Sequence, residues 1–569
     1  MFGLGLINII VLIVYLIGVT ILGSWAMRKV RNMGDFIMPR RFGKWMLTMH
    51  AFGSGTHSDQ AVSVASKSYT NGLSGIWYQW LYLFGTPFYW LIAPMMRRFR
   101  ALTTADIFEL RYGRGVAMLY AVISIAFMAT SIGLMLKGSG AVIAGASGGA
   151  FSADVAIILM TLLFVTYGTI GGLGGAILTD FIQGILTIVF SFILLPSVLA
   201  AVGGMSGMRE SLNDPQLFSL VAPSEIGIFY IAVIALNGLV GIVTQPHILA
   251  NCAAGRTERE GQFGFMVGSF TKRFCTVAWA ITGLAGLAYF AGRDSIHPDH
   301  LYGALAGEFF PQMLPGILGL FIATLLASVM SSCDSFMIAA SGLFTENIYK
   351  KISPRQSPRN YLWTTRFAAL AVVGLGVGYA YWLSDVIQGL EILWRIPSLM
   401  GIAFWMGLFW RRATTAAAWA STLTALFTWW ITSRAFFVEA LDGNPVAEAL
   451  RFVVHFGDRP EIYLPWQMVA YLFFGLAAGI ITSLLSRPRE KHLLDQYYQL
   501  IHTPVLTEEP NPEQPCTLPE GIQPLPGRTF FPGSQFEIPI PSRRSITGFA
   551  IGWVLVGTVI GFVYWLAAA

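Results

Sequence analysis

Long apolar stretches separated by short polar ones set the rhythm of this chain, and they are too long to be strands. A hydrocarbon core of ~30 Å is crossed by a helix of about 20 apolar residues. The sequence predicts such helices over 3–27, 45–66, 75–96, 115–137, 151–171, 174–201, 226–248, 273–291, 313–342, 361–384, 387–410, 413–433, 466–485 and 546–567, about 14 transmembrane helices in all. The ten-residue alternation of a membrane β-barrel is not the pattern here. Three stretches carry polar interruptions: 45–66 at Ser54–Gln60, 313–342 at Ser328–Ser335, and 387–410 at Glu391 and Arg395. The last two are spaced i, i+4 and can neutralise one another.

Composition agrees with this pattern. Of 569 residues, 55% are hydrophobic and 12% charged, whereas a soluble domain is about 25% charged. The chain is therefore expected to be an all-α integral membrane bundle. Its net charge of +6 does not point to nucleic acid, because the basic residues lie between apolar runs and not along one polar face. Alternate loops are rich in Lys and Arg, beginning with Arg28, Lys29, Arg31, Arg40, Arg41 and Lys44. The positive-inside rule puts these loops in the cytoplasm of a cell with an inner (plasma) membrane, and both termini outside. Cys252, Cys275, Cys333 and Cys516 form no CxxC pair and are expected to be free thiols. The apolar start has no basic residue before it and reads as a retained helix, not a cleaved signal.

The division expected is a first helix with its basic loop (1–44), a five-helix unit (45–224), a second five-helix unit (225–412), and two further helices (413–485). The last pair encloses an external segment, 434–465, with a short helix near 446–454. A Pro-rich cytoplasmic segment (486–545) reads as an extended, partly mobile tether to the last helix (546–569).

Polar residues at bilayer depth are costly, and they persist where they face a bundle interior and act. The densest group is Ser54-Gly55-Thr56-His57-Ser58-Asp59-Gln60. Gly53-Ser54-Gly55 is a poor helix, and unwinding there frees carbonyl oxygens suited to a small hard cation. Asn237-Gly238-Leu239-Val240-Gly241, followed by Gln245-Pro246-His247, interrupts the first helix of the second unit at the matching place. Paired broken helices are the mark of a transporter site built from inverted repeats; close packing by glycine is the alternative. Ser331 and Ser332 offer hydroxyls to a cation, or bond back to their own helix. Asp180 either holds an ion or makes a structural ion pair.

Several segments together resemble the sodium/solute symporter family: Arg31-Asn32-Met33-Gly34-Asp35-Phe36, Ser68-Tyr69-Thr70-Asn71-Gly72-Leu73, Thr104 to Gly113, Gly171-Gly172-Leu173 with Thr179-Asp180-Phe181-Ile182-Gln183, Gln245-Pro246-His247-Ile248-Leu249, and Ser331-Ser332-Cys333-Asp334-Ser335 followed by Phe344 to Tyr349. The resemblance implies a LeuT-type 5+5 inverted-repeat bundle with additional helices, and no enzyme activity. It implies sodium as the co-transported ion, held by carbonyls of Gly53, Thr56 and Ser328 and hydroxyls of Ser331 and Ser332, with Asp180 linked to sodium handling. It implies a small polar organic solute lined by Gly55, His57, Asp59, Gln60 and Asn237. Thr56 stands where proline-type carriers have aspartate, Asn251 where they have arginine, and Asp59-Gln60 is similar to the Glu-Gln pair of sugar carriers, so both solute types stay open. Asp59 is expected to favour hydroxyls or an amine and to work against a bare carboxylate. Proton coupling through Asp59, His57 or Asp180, and a non-transporting sensor signalling through 486–545, are the competing readings.

Overall fold

A computed structural model describes residues 5–27, 40, 42–168, 172–222, 225–293, 296–456, 459–506, 509–510, 512 and 514–568. The motif Arg31 to Phe36, the basic residues Arg28, Lys29 and Arg41, and Gly171 lie outside the described residues, as does the side chain of Thr179. The chain is mostly helical. Among the described residues, eight helices are long and apolar enough to cross a membrane, nine if one bent pair counts as a single span.

Helices α1 (Leu6–Met27), α2 (Lys44–Gly53), α3 (Ser58–Asn71), α4 (Thr86–Arg98), α5 (Arg114–Ala146), α6 (Ala153–Gly168) and α7 (Gly172–Ala201) form the first half. The stretch expected as one helix over 45–66 is two, α2 and α3. The stretch 75–96 is also interrupted: short helical turns over 72–80 lead through a turn at 81–85 to α4. Gly85 and Pro87 flank the start of α4, where proline's missing N–H has no helical partner to lose.

The second half comprises α8 (Ile228–Ile242), α9 (Pro246–Ala253), α10 (Glu258–Phe290), α11 (Leu301–Met313), α12 (Ile317–Leu343), α13 (Pro358–Trp382) and α14 (Val386–Phe409). Helix α10 starts well before the expected 273. Thr257 and Glu260 form a reciprocal capping box that fixes its N-terminus, satisfying two otherwise orphaned backbone donors. Its polar first half hides it from a hydropathy reading.

Burial sorts these helices into an inner and an outer shell. Only 17% of the most apolar stretch of α13 is buried by protein, against 83% for α12 with its C-terminal extension. Phe367, Leu375 and Trp382 of α13 are exposed, as expected of a lipid-facing surface, while α12 is apolar and enclosed. All four cysteines are free and buried.

Helices α15 (Thr415–Thr432) and α16 (Leu464–Leu485) pack on each other. Between them, two short helices (Ala435–Leu441 and Pro445–Ala449) precede a hairpin of β1 (Val453–Phe456) and antiparallel β2 (Arg459–Ile462). The hairpin was not expected: the short helix predicted near 446–454 ends at Ala449, and Val453 and Val454 lie in β1.

The Pro-rich segment is not the loose tether expected. It holds the amphipathic helix α17 (Lys491–His502), which buries Leu494, Tyr497, Tyr498 and Ile501. Tyr498 donates to the Gly407 carbonyl at 2.8 Å. Arg411 reaches Asp495 at 2.7 Å and Glu537 at 2.5 Å. Arg100 and Glu509 form a buried two-pronged ion pair at 2.6 and 2.8 Å. The final helix, α18 (Arg543–Ala568), packs on α4 through Gly548 and Gly552.

Candidate functional site

The site is built on the joint between α2 and α3. Residues 54–57 leave the helix. Ser54 N–H still bonds the His50 carbonyl at 2.8 Å and Thr56 N–H the Gly53 carbonyl at 3.1 Å, while His57 turns extended to cap α3. The joint is held from behind by α10. A Cβ at Gly264 would stand 2.6 Å from the Cβ of Leu47, at Gly268 2.5 Å from the Thr48 oxygen, and at Gly283 2.5 Å from the Ala65 oxygen. Helix α10 therefore touches both half-helices at backbone distance. Lys272 continues the Gly264, Gly268 spacing on that face. It meets the joint, where its ammonium donates to the Gly55 carbonyl.

A cavity of about 100 Å³ opens on one side of the joint. Gly55, His57, Asp59 and Gln60 line it from the first broken helix, Gln245, His247 and Asn251 from α9 and the turn before it, and Lys272 and Arg273 from α10. Several lining atoms are buried without a hydrogen-bond partner among the described residues: His57 Nε2, Asp59 Oδ1, Gln60 Oε1, His247 Nδ1 and Arg273 Nε. His57 Nδ1 stands 3.8 Å from Asp59 Oδ1. Arg273 Nη1 donates to the Gln79 carbonyl at 2.5 Å, and its guanidinium lies 5.7 Å from the Tyr82 ring centre.

On its other side the joint meets α7 and α12. A hollow of about 20 Å³ is bounded by Thr56, Ser58, Thr187, Ser191, Thr324 and Ser328, room for one water-sized particle. Beside it, Asp180 Oδ2 bonds His50 Nδ1 at 2.9 Å and Asp180 Oδ1 accepts from Ser331 Oγ at 3.2 Å. A Cβ at Gly53 would lie 3.3 Å from that of Asp180. Ser332 is buried one residue along α12. The structure thus brings Gly53, Asp180 and Ser331 together, with Thr56 and Ser328 around the adjoining hollow.

Asn237 is placed elsewhere. Its amide donates to the Trp394 carbonyl at 3.0 Å and accepts from the Tyr471 hydroxyl at 2.5 Å. It is fully buried and is not part of the cavity wall. The expected break at Asn237–Gly241 is also displaced. Helix α8 runs through those residues, and the 69° bend falls at 243–245, before Pro246. Proline lacks the N–H and crowds the preceding turn. The glycines serve packing: a Cβ at Gly241 would meet Ser398 Oγ at 2.7 Å. Ser54 Oγ donates to Asn251 Oδ1 at 3.1 Å, tying the two broken helices to each other.

Sequence reasoning missed Lys272 and Arg273 as cavity residues, because it started their helix at 273. The Thr257–Glu260 capping box and the Gly264, Gly268, Lys272 spacing were the signals that find them.

Comparison with known proteins bears directly on this geometry. Residues 36–425 match the model of the sodium:solute symporter family. The chain is similar to the sodium/proline symporter of Haemophilus influenzae, 26% identical over 533 residues, covering 86% of this chain and 97% of that protein. It is similar to the sodium/pantothenate symporter of the same organism, 24% identical, covering 74% and 88%. Its fold resembles a solved Na+-coupled sialic acid symporter in a substrate-bound outward-open state, with a TM-score of 0.66 at 19% identity, covering 86% of this chain and 99% of that one. An apolar helical bundle, a broken helix with a polar cavity on one side and a hydroxyl-lined hollow on the other, and a family match across most of its length agree: this chain belongs to the sodium:solute symporter family, multi-pass membrane transporters that couple a solute to sodium.

Proposed function

We propose that this protein imports a small polar organic solute together with sodium by alternating access, with both cargoes held on the α2–α3 joint. The observation that supports this is the joint's two-sidedness. Of the four joint residues, Ser54 and Gly55 line the polar cavity, Thr56 lines the hydroxyl-bearing hollow, and His57 lines both. Sodium sits on the first side, against carbonyls of Gly53, Thr56 and Ser328 and hydroxyls of Ser331 and Ser332, with Asp180 alongside. The solute sits on the second, against Gly55, His57, Asp59 and Gln60. The C-terminal end of α2 adds the partial negative charge of a helix terminus. An ion that fixes the joint also orders His57 and Asp59, so by linkage the solute raises sodium affinity by the same factor.

One sodium entering across ~100 mV and down a tenfold gradient supplies about 3.7 kcal/mol, enough for roughly 500-fold accumulation of a solute without net charge. In this reading the 5+5 repeats cover 45–224 and 225–412 and the chain crosses the plasma membrane 14 times. Both termini lie outside and 486–545 faces the cytoplasm.

The test is uptake by the full chain in proteoliposomes, begun with L-proline, pantothenate and myo-inositol as probes. Replacing Ser331→Ala with Ser332→Ala removes two hydroxyl ligands and is expected to raise the half-saturating sodium concentration by about tenfold or more, with insertion retained. Unchanged sodium dependence, or equal uptake driven by a proton gradient without sodium, overturns the assignment.

A further inference from the structure

A second, larger hollow lies on the outer surface of the bundle. It is a groove of about 1040 Å³ between α4, α8, α14 and α16, closed at one end by residues from 530 to 545. Along α4 it runs from Phe88 to Arg98 and along α16 from Val469 to Ile480, about 15 Å of helix in each case. That is half of a ~30 Å hydrocarbon core, the depth of one leaflet. The walls face outward: Leu236 is 54% exposed, Phe473 63% and Leu476 44%. Among the described residues, Arg98 is the one charged side chain in the lining.

The end that holds Arg98 is built from the C-terminal segment. Residues 528–540 fold back on themselves, with Phe530 N–H on the Ile538 carbonyl at 3.0 Å and Ile540 N–H on the Arg528 carbonyl at 2.9 Å. This strap is fastened to the end of α14. Arg411 N–H bonds the Gln535 carbonyl at 2.8 Å, and Glu537 N–H bonds the Phe409 carbonyl at 2.9 Å. The strap still exposes Phe530, Phe531, Phe536 and Ile540. Four large apolar side chains exposed beside a groove at bilayer depth belong against lipid and not in water.

Charge selects the kind of lipid. Ser542 and Ser545 line the same end of the groove and bracket Arg543 and Arg544 in sequence. Both arginines, and Arg528 on the strap, are exposed. Among the described residues none of the three forms an ion pair within 4 Å. Arg98, by contrast, is committed to Glu258 at 2.8 and 2.9 Å, and the strap's Glu537 to Arg411 and His502. Free guanidinium groups suit phosphate oxygens, and basic residues at the cytoplasmic end of a pocket between transmembrane helices recognise anionic head groups. Resting on the orientation proposed above, which puts 486–545 in the cytoplasm, we propose that the groove holds one anionic phospholipid of the inner leaflet. Its phosphate sits against Arg543 and Arg544, and an acyl chain lies along α4 and α16. The lipid thereby joins the C-terminal strap to the bundle.

The test is native mass spectrometry of the purified, delipidated full chain with phosphatidylglycerol and phosphatidylcholine of identical acyl chains. Phosphatidylglycerol is expected to be retained at concentrations about 10- to 30-fold lower. Arg543→Gln with Arg544→Gln is expected to erase that preference. Leu476→Trp, which fills the groove, is expected to weaken retention of both lipids, and glycerophosphate, an anion without acyl chains, is expected not to compete. Any of five results overturns the proposal: equal retention of the two lipids; a preference that survives loss of both arginines; retention unchanged by Leu476→Trp; competition by glycerophosphate; or a lipid-free dimer broken by Leu476→Trp, which would assign the groove to a second copy of the chain. If Leu476→Trp does not fold, the head-group comparison with the arginine variant decides alone. Failure of the underlying reading shows elsewhere: a reversed orientation as protease cleavage of 486–545 from outside intact cells, and a failed transport reading as absent sodium-driven uptake with lipid retention unchanged.

Discussion

The two broken helices of this protein are broken for different purposes. At the first, between α2 and α3, side chains end in buried atoms that lack partners: Thr56 Oγ1, His57 Nε2, Asp59 Oδ1 and Gln60 Oε1. At the second, the side chains of Asn237 and Thr244 are engaged by the protein itself, and the buried atoms without partners are Tyr230 Oη and His247 Nδ1. Asn237 is held by Trp394 and Tyr471, and Thr244 donates to the Pro397 carbonyl at 2.7 Å. Ser398 returns a bond to the Asn237 carbonyl at 3.0 Å. Buried polar atoms in native structures are nearly always paired, so a cluster left unpaired marks a place where something else supplies the partners. The first break keeps its unpaired atoms at the candidate site, whereas the second locks α8 to α14 and α16 and lends Ile242, Gln245 and α9 to the cavity wall.

This contrast can be broken experimentally. The largest effect is expected from Asn237→Ala, which leaves the buried Tyr471 hydroxyl without its acceptor and the Trp394 carbonyl with only Ser398 Oγ as a side-chain donor. At about 1–3 kcal/mol for each orphaned group, it should lower the melting temperature markedly while leaving the relative preference among solutes unchanged. A shift in solute preference without loss of stability would put Asn237 back in the binding site.

Gly138→Ala is expected to have an intermediate effect. A Cβ there would stand 2.6 Å from the Asp59 Cα, so α5 and α3 must separate, at about 1–3 kcal/mol. Because the displaced residue is Asp59, binding of the transported solute should weaken more than the stability loss alone accounts for. Solute half-saturation that stays constant would show that Asp59 does not touch the cargo.

The smallest effect extends the contrast to the C-terminal segment, which is clasped by ion pairs of Arg411 and His502. Partial burial pushes the Glu537 carboxyl up, but His502 and Arg411 outweigh burial and hold it below its ordinary value of 4.5. A carboxyl lowered by folding adds stability above its unfolded pKa and loses it as pH falls through the folded value. Hydrogen exchange in 491–540, corrected for its intrinsic pH dependence, should therefore rise modestly below pH 4.5 and not between about pH 6 and 8. Equal protection at low pH would exclude Glu537 as a clasp.

Much of the scaffold was legible in advance. Each expected apolar stretch has a helical counterpart, and the Ser54–Gln60 interruption falls on a real joint. The misreadings share a cause. The Asn237–Gly241 break, the loose tether over 486–545 and the late start of α10 were judged from local composition, while their outcome depends on partners far along the chain. Glycine can unwind a helix or let a neighbour approach, and the sequence does not say whether Ser398 is the neighbour. A Pro-rich segment is extended in isolation, yet Arg100, Glu258 and Arg411 offer it fixed anchors.

By itself the sequence determined the solvent this protein lives in, its helical class, its family and the position of its polar joint. Each of these follows from hydropathy, spacing and motif within a few tens of residues. Only the tertiary structure decided which polar atoms at that joint remain unpaired, on which the proposed site rests. Asp180 meets Ser331, and Lys272 meets Gly55, across helices far apart in the chain. Hydrogen-bond satisfaction belongs to the packed bundle as a whole, so no local stretch of residues encodes it.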